Sequence, residues 1–239
     1  MAMWNPWRGC HKFSDGCRYC YIHKGDAKRG VNTNQVTQTD TFFLPIEKYQ
    51  KGTKKGEYKI KSGETVYLCF SSDFLLPDAD AWRPRCWEII REREDVHFLF
   101  LSKRTNRFMR CIPEDWGEGY DNVTVGCTIE NQAAADDRLP VFDSLPIKHK
   151  NIICQPLLER VDITKHLNGV ELLVAGGESD KDARPLKYDW VLSLRDQCIA
   201  SGVKFEFRQC ASNFIKDGTL HRLPVNQLAA QARKANIDT

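Results

Sequence analysis

The chain has no apolar run approaching the roughly 18 residues that a membrane-crossing helix needs. Its opening residues, MAMWNPWRGC, lack the charged-then-apolar pattern of an export signal. No GxGxxG or GxxxxGK[ST] follows any apolar run, which excludes the common nucleotide-binding forms of the doubly wound sheet. Internal repeats, low-complexity tracts and linkers are missing, as is any recognisable nucleic-acid-binding module. The expectation left standing is a cytoplasmic protein, without membrane partners, folded as a single domain over residues 1–239. Its composition, 41% hydrophobic and 28% charged in 239 residues, suffices for a full core and excludes disorder.

Charge is mild overall, 35 Lys+Arg against 32 Asp+Glu, but it is unevenly spread. Residues 1–60 hold 11 basic and 5 acidic side chains, leaving 24 and 27 for the remainder. A basic first quarter suits a polyanion or an anionic cofactor; equally, Lys51, Lys54 and Lys55 describe a solvated loop.

Cysteine is abundant, with ten residues. Seven are scattered singly, several inside apolar stretches such as VYLCF, VTVGC and NIIC, where they serve as small hydrophobes. The other three crowd into Cys10-His-Lys-Phe-Ser-Asp-Gly-Cys17-Arg-Tyr-Cys20, a CX6CX2C pattern that packing does not require. In a chain without an export signal, clustered thiols indicate a metal or redox site. Structural zinc closes with four ligands, so a zinc knuckle needs His11 or His23 as the fourth. Three thiolates are also a ligand set for an iron–sulfur cluster with one iron left open.

From residue 66 onward, short apolar β-prone runs alternate with helical patterns: strands at 66–72, 97–102, 122–128, 151–156, 170–178 and 203–209, helices near 80–94, 104–111, 131–139, 161–168, 188–201 and 224–235. This rhythm predicts parallel βα units, about six to seven of them counting a short strand before Cys10, closed into a full or partial barrel or laid out as a doubly wound sheet. Residues 1–30 read as a cysteine loop and first helix, and 31–65 as an irregular insertion with a possible strand at FFLP (42–45). Polar residues gather where the strands end: Ser72 and Asp73; Ser102, Lys103 and Arg104; Thr128, Glu130 and Asn131; Gln155; Gly176, Gly177 and Glu178; Arg208 and Gln209. In parallel α/β folds those ends form the functional face, though Ser, Thr and Asp also serve there as turn formers and helix caps.

Three clustered cysteines at the head of a βα repeat, with an aromatic before the last, resemble the radical S-adenosylmethionine (SAM) superfamily. The usual spacing there is CX3CX2C, from which CX6CX2C departs. More narrowly, WNPWRGCHKFSDGCRYCY, FSSDFLLPDA, FLSKRTNRF, VGCTIENQ, CQPLLERVDI, VAGGESDKDARPL and DWVLSLRDQCIASGVKFEFRQ resemble, in order along nearly the whole chain, a phage- and bacteria-borne three-cysteine family of poorly defined function predicted to be radical SAM proteins.

The resemblance implies a partial or full parallel (β/α) barrel of the radical SAM type. Cys10, Cys17 and Cys20 would ligate a [4Fe–4S] cluster, and SAM would chelate the fourth iron. Tyr19 would lie near the adenine, with Ser72 and Asp73 near the SAM amino group. Thr128 and Glu130 would be at the ribose or methionine, Lys103 at the SAM carboxylate, and Glu178 toward SAM or substrate. Arg104, Arg107, Gln155 and Arg208 would face substrate, and Cys127, Cys154 or Cys210 would serve as a hydrogen donor. The implied chemistry is reductive cleavage of SAM, with an electron from a flavodoxin- or ferredoxin-like donor, to a 5′-deoxyadenosyl radical that abstracts hydrogen. Aromatics interleaved with cations near the N-terminus (Trp4, Trp7, Phe13, Tyr19 and Tyr21) and the phage association suggest a nucleic acid or nucleotide as the molecule modified or repaired; the tryptophans serve equally to plug the base of the barrel, and a small-molecule substrate stays open. Two other readings stand beside this one: a non-catalytic zinc-binding or redox-sensing module, and a metal-independent barrel hydrolase using Asp73, Glu130 and Glu178.

Overall fold

The computed structural model describes residues 2–239 and is a mixed α/β protein. In chain order its elements are β1 (Ala2–Trp4), β2 (Trp7–Arg8), α1 (Tyr21–Lys28), β3 (Thr37–Gln38), β4 (Thr65–Leu68), α2 (Arg83–Glu92), β5 (His97–Ser102), α3 (Phe108–Cys111), β6 (Val123–Thr128), α4 (Gln132–Ser144), β7 (His149–Cys154), β8 (Val170–Gly176), β9 (Leu186–Lys187), α5 (Tyr188–Ser201), β10 (Lys204–Gln209), β11 (Asn213–Lys216), β12 (Thr219–Arg222) and α6 (Leu228–Lys234).

The principal sheet has seven strands in the order β1-β4-β5-β6-β7-β8-β10. Spatial order therefore follows chain order without a reversal, so the sheet has no switch point of the doubly wound kind. The registered pairs β1–β4, β4–β5, β7–β8 and β8–β10 are all parallel. β1 and β10 are its two edges, so this is the partial form of the expected parallel β/α barrel. Among the described residues no helix is long and apolar enough to cross a membrane.

The chain forms two compact units. The first comprises residues 1–11, 25–126 and 145–149. Its core is aromatic: Phe74 lies 4.8 Å from Phe100 and 5.0 Å from Trp87, and Trp7 stacks on Phe74 at 5.4 Å. Trp4 and Trp7 are fully buried here, with Trp4 Nε1 donating to the Phe42 carbonyl at 2.9 Å. They are core residues and offer no stacking platform to a base. The 42–45 segment is no strand; Leu44–Ile46 form a 3₁₀ turn, as suits Pro45, whose ring fixes φ and removes a ladder donor.

The second unit comprises residues 12–24, 127–144 and 150–239. Ile152, Leu173, Val174, Phe205 and Phe207 of β7, β8 and β10 are buried with Val191, Leu194 and Cys198 of α5. α5 ends at Gly202, whose φ of 69° lets Val203 N–H reach back to the Cys198 carbonyl at 2.9 Å. The helix expected at 161–168 is a single turn, Thr164–His166. An unexpected antiparallel hairpin, β11–β12, turns at Asp217 and Gly218 and joins β9 in a three-stranded sheet.

Candidate functional site: the cysteine loop and the strand ends

All ten cysteines are free thiols, and they separate into two groups by exposure. Cys10, Cys17 and Cys20 are half-buried, whereas the other seven are buried. Burial pushes the Cys154 and Cys198 thiols up, the latter to about 12, and the Cys210 thiol to about 11. Cys127, Cys154 and Cys210, the expected hydrogen donors, are sealed at 0%, 0% and 2% exposure.

In the first unit, Cys10 is fixed on both sides through its neighbours' backbone. Ser72 Oγ donates to the Gly9 carbonyl, and Arg104 Nη2 donates to the His11 carbonyl at 3.0 Å. Cys10 N–H itself donates to the Thr33 carbonyl at 2.8 Å. Gly9 sits at φ +91°, and a Cβ there would meet the Gln35 carbonyl oxygen at 2.7 Å, so only glycine permits this approach. His11 Nε2 is 3.0 Å from Asp78 Oδ1.

Asp73, the expected partner of the SAM ammonium, is buried and fully occupied. Its Oδ1 accepts from Leu75 N–H at 2.9 Å and Ser102 Oγ at 2.8 Å. Its Oδ2 accepts from Arg104 Nη1 at 2.7 Å and Lys103 N–H at 3.3 Å. Arg104, expected at substrate, is thus committed to Asp73 and His11. Arg107 donates to the Leu75 carbonyl at 2.9 Å and to both oxygens of Asp80.

In the second unit, Cys17 closes a 3₁₀ turn, Asp15–Cys17, that buries no residue. Gly16 N–H donates to Glu130 Oε1 at 3.4 Å, and Arg184 Nη2 donates to the Asp15 carbonyl at 2.8 Å. Phe13 N–H donates to Cys17 Sγ at 3.5 Å. Glu130 is 1% exposed and accepts from the Arg138 fork at 2.8 and 3.3 Å; Arg138 also donates to the Thr128 carbonyl at 2.7 Å. Glu178 accepts from Arg184 N–H at 2.8 Å and from its guanidinium. That hydrogen bond to Glu178 holds the Arg184 guanidinium charged beyond its ordinary range.

Tyr19 is a half-buried ring with Lys24, Arg18 and Arg184 at 5.3, 5.4 and 5.6 Å from its centroid, and a stacked adenine would share it with those cations. Lys24 pairs in turn with Asp180. Asn131 caps α4 by accepting from Ala134 N–H at 2.8 Å. Arg208 is held by both oxygens of Glu206 at 2.9 Å.

The Gly176-Gly177 pair is explained by close approach. A Cβ at Gly176 would meet the Gln155 side chain at 2.9 Å, and one at Gly177 would meet Ala211 N at 2.6 Å. Thus Gln155 lies across the end of β8, within its own unit. Residues missed from sequence are Arg138, Arg184 and Asp180. Only the local spacing to Glu130 and Glu178 hinted at the first two, and a spacing of that kind does not distinguish a buried pair from a solvated one.

Among the described residues, no group of three or more His, Cys, Asp or Glu is gathered to hold a metal ion. The donor set nevertheless suits an iron–sulfur centre by its chemistry: three accessible thiols, one already accepting a backbone N–H.

A family model described as "Protein of unknown function (DUF5131)" matches residues 1–236, and the chain belongs to that family, whose description assigns no activity. No curated protein and no solved structure matches the chain.

Proposed function

We propose that this DUF5131 family member is a radical SAM enzyme whose [4Fe–4S] cluster is held by Cys10, Cys17 and Cys20. The observation that carries the reading is the separation of the thiols: these three alone are half-exposed, within eleven residues, while seven are buried in packing. When bound, the cluster and SAM supply reductive cleavage of the SAM carbon–sulfur bond and so a hydrogen-abstracting 5′-deoxyadenosyl radical, with the electron coming from a flavodoxin- or ferredoxin-like protein.

The chain's own share is placement. Ser72 and Arg104 hold the backbone beside Cys10, and Glu130 and Arg184 hold it before Cys17. Tyr19 and its cations offer a place for an anionic or aromatic group. Exposed Phe13 and Tyr21, beside exposed Lys12 and Arg18, favour a nucleotide or nucleic acid as the molecule acted on. Asp73, Glu130 and Glu178 are each paired with an arginine, which favours structural work for these carboxylates over the acid–base roles a hydrolase would give them.

Metal analysis of anaerobically purified protein tests the proposal. Iron with matching acid-labile sulfide is expected. Stoichiometric zinc without iron would reject the enzyme reading in favour of the structural metal module.

A further inference from the structure

We propose that Glu130 and Arg184 are positioning residues for the Cys17 thiol. They clamp the two backbone groups that precede it, through Gly16 N–H and the Asp15 carbonyl, and do not contact the cofactor themselves. The inference rests on the cluster reading above for its purpose, but its geometry stands within the second unit alone.

Four observations carry it. The Asp15–Cys17 turn buries no residue, so apolar packing does not hold it in place. Arg184 Nη2 donates to the Asp15 carbonyl at 2.8 Å, and Glu130 Oε1 accepts from Gly16 N–H at 3.4 Å, so the residues at −2 and −1 from Cys17 are both held. Each clamp is itself fixed: Glu130 by the Arg138 fork, Arg184 by Glu178. A Cβ at Gly16 would stand 3.2 Å from Glu130 Cδ, tighter than ordinary contact, so the turn rests closely against the carboxylate and an added methyl presses on it.

Burying a carboxylate–arginine pair costs desolvation that Coulomb attraction repays only with good geometry and extra hydrogen bonds. Two such pairs converging on one turn that buries no residue add little to the core. What they do is restrict the backbone that sets where Cys17 Sγ points, as supporting shells orient metal ligands elsewhere.

The test measures alkylation of each cysteine in reduced, metal-free protein by iodoacetamide and mass spectrometry, then iron, sulfide and the electron paramagnetic resonance spectrum after anaerobic reconstitution. Glu130→Ala and Arg184→Ala should label Cys17 roughly tenfold faster, the scale of one lost charge-assisted hydrogen bond. They should also retain less iron and broaden the reduced-cluster spectrum. Glu206→Gln, in an ion pair with Arg208 of the same unit that does not touch the turn, should stay within about twofold of wild type.

The seven buried cysteines report the fold. Should they become reactive in a variant, Gly16→Ala, which keeps every charged side chain, decides by the same measurement. Wild-type Cys17 labelling in Glu130→Ala and Arg184→Ala with the buried cysteines protected, or in Gly16→Ala, would overturn the proposal. Faster Cys17 labelling in a protein that takes up no iron would uphold the clamp and reject the cluster reading. Unchanged labelling and spectra in variants of a protein that does load iron would reject the clamp and leave the cluster reading intact.

Discussion

Arg104 donates from one guanidinium nitrogen to the Asp73 carboxylate at 2.7 Å and from another to the His11 carbonyl at 3.0 Å. A buried ion pair formed by residues that follow β4 and β5 is thereby fastened to the residue after Cys10. Removing Asp73 leaves a buried guanidinium without its counter-charge. Asp73→Ala should therefore lose about 3–5 kcal/mol of stability, measured by urea denaturation. Asp73→Ala/Arg104→Met should lose less than Asp73→Ala alone, since no charge is then stranded. A loss below about 1 kcal/mol in Asp73→Ala would show that the pair is solvated.

Exposure orders the thiols. Brief alkylation of the native, metal-free protein should modify Cys10, Cys17 and Cys20 and spare the seven buried cysteines. Burial adds to the contrast by pushing Cys69, Cys86, Cys154 and Cys198 away from thiolate formation. Early modification of Cys127 or Cys154 would mean that their strands open to solvent.

Gly9→Ala should destabilise more than Gly30→Ala. Both glycines have positive φ, +91° and +67°, but only Gly9 faces backbone oxygens, at 2.7 and 2.9 Å from an added Cβ. The common strain is about 1 kcal/mol, and the clash at Gly9 adds to it. Urea midpoints for the two variants compare the costs directly, and equal midpoints would remove the argument for close approach beside Cys10.

Asp180 gives acid sensitivity to the second unit. Burial alone would raise its carboxyl, but the Lys24 ammonium and the Asp182 N–H outweigh burial and hold it below the usual 3.8. A depressed folded value means that the stabilisation is full above about pH 3.8 and is lost as pH falls through that lower value. Asp180→Asn should flatten the fall of the thermal midpoint below about pH 3.8. An unchanged acid limb would locate the sensitivity in other carboxylates.

Much of the fold was legible in the sequence. HFLFLS and NVTVGCT are continuous apolar runs and became β5 and β6, and the helix expected at 188–201 is α5. The failures have local causes. At 161–168, Asp162 Oδ1 accepts from Thr164 N–H and Oγ1, while Ile163 N–H is taken by Gln197, so side chains claimed the donors of a longer helix. The hairpin at 213–222 was announced by Asp217-Gly218, both at positive φ, and its polar outer strand concealed it. At the candidate site, the cysteine cluster and the strand-end carboxylates were visible in the sequence, but their arginines were not. Which of several nearby cations enters a buried pair is decided by packing, and Arg138 and Arg184 lie on segments whose sequence reads equally well as solvated.

The central claim is tested most directly by anaerobic reconstitution with iron and sulfide, addition of dithionite and SAM, and chromatography for 5′-deoxyadenosine. Wild-type protein should hold about four irons per chain and release 5′-deoxyadenosine only when SAM is present, whereas Cys17→Ala should lose both the cluster and the product. A colourless wild-type protein with tightly bound zinc and no 5′-deoxyadenosine would contradict the account.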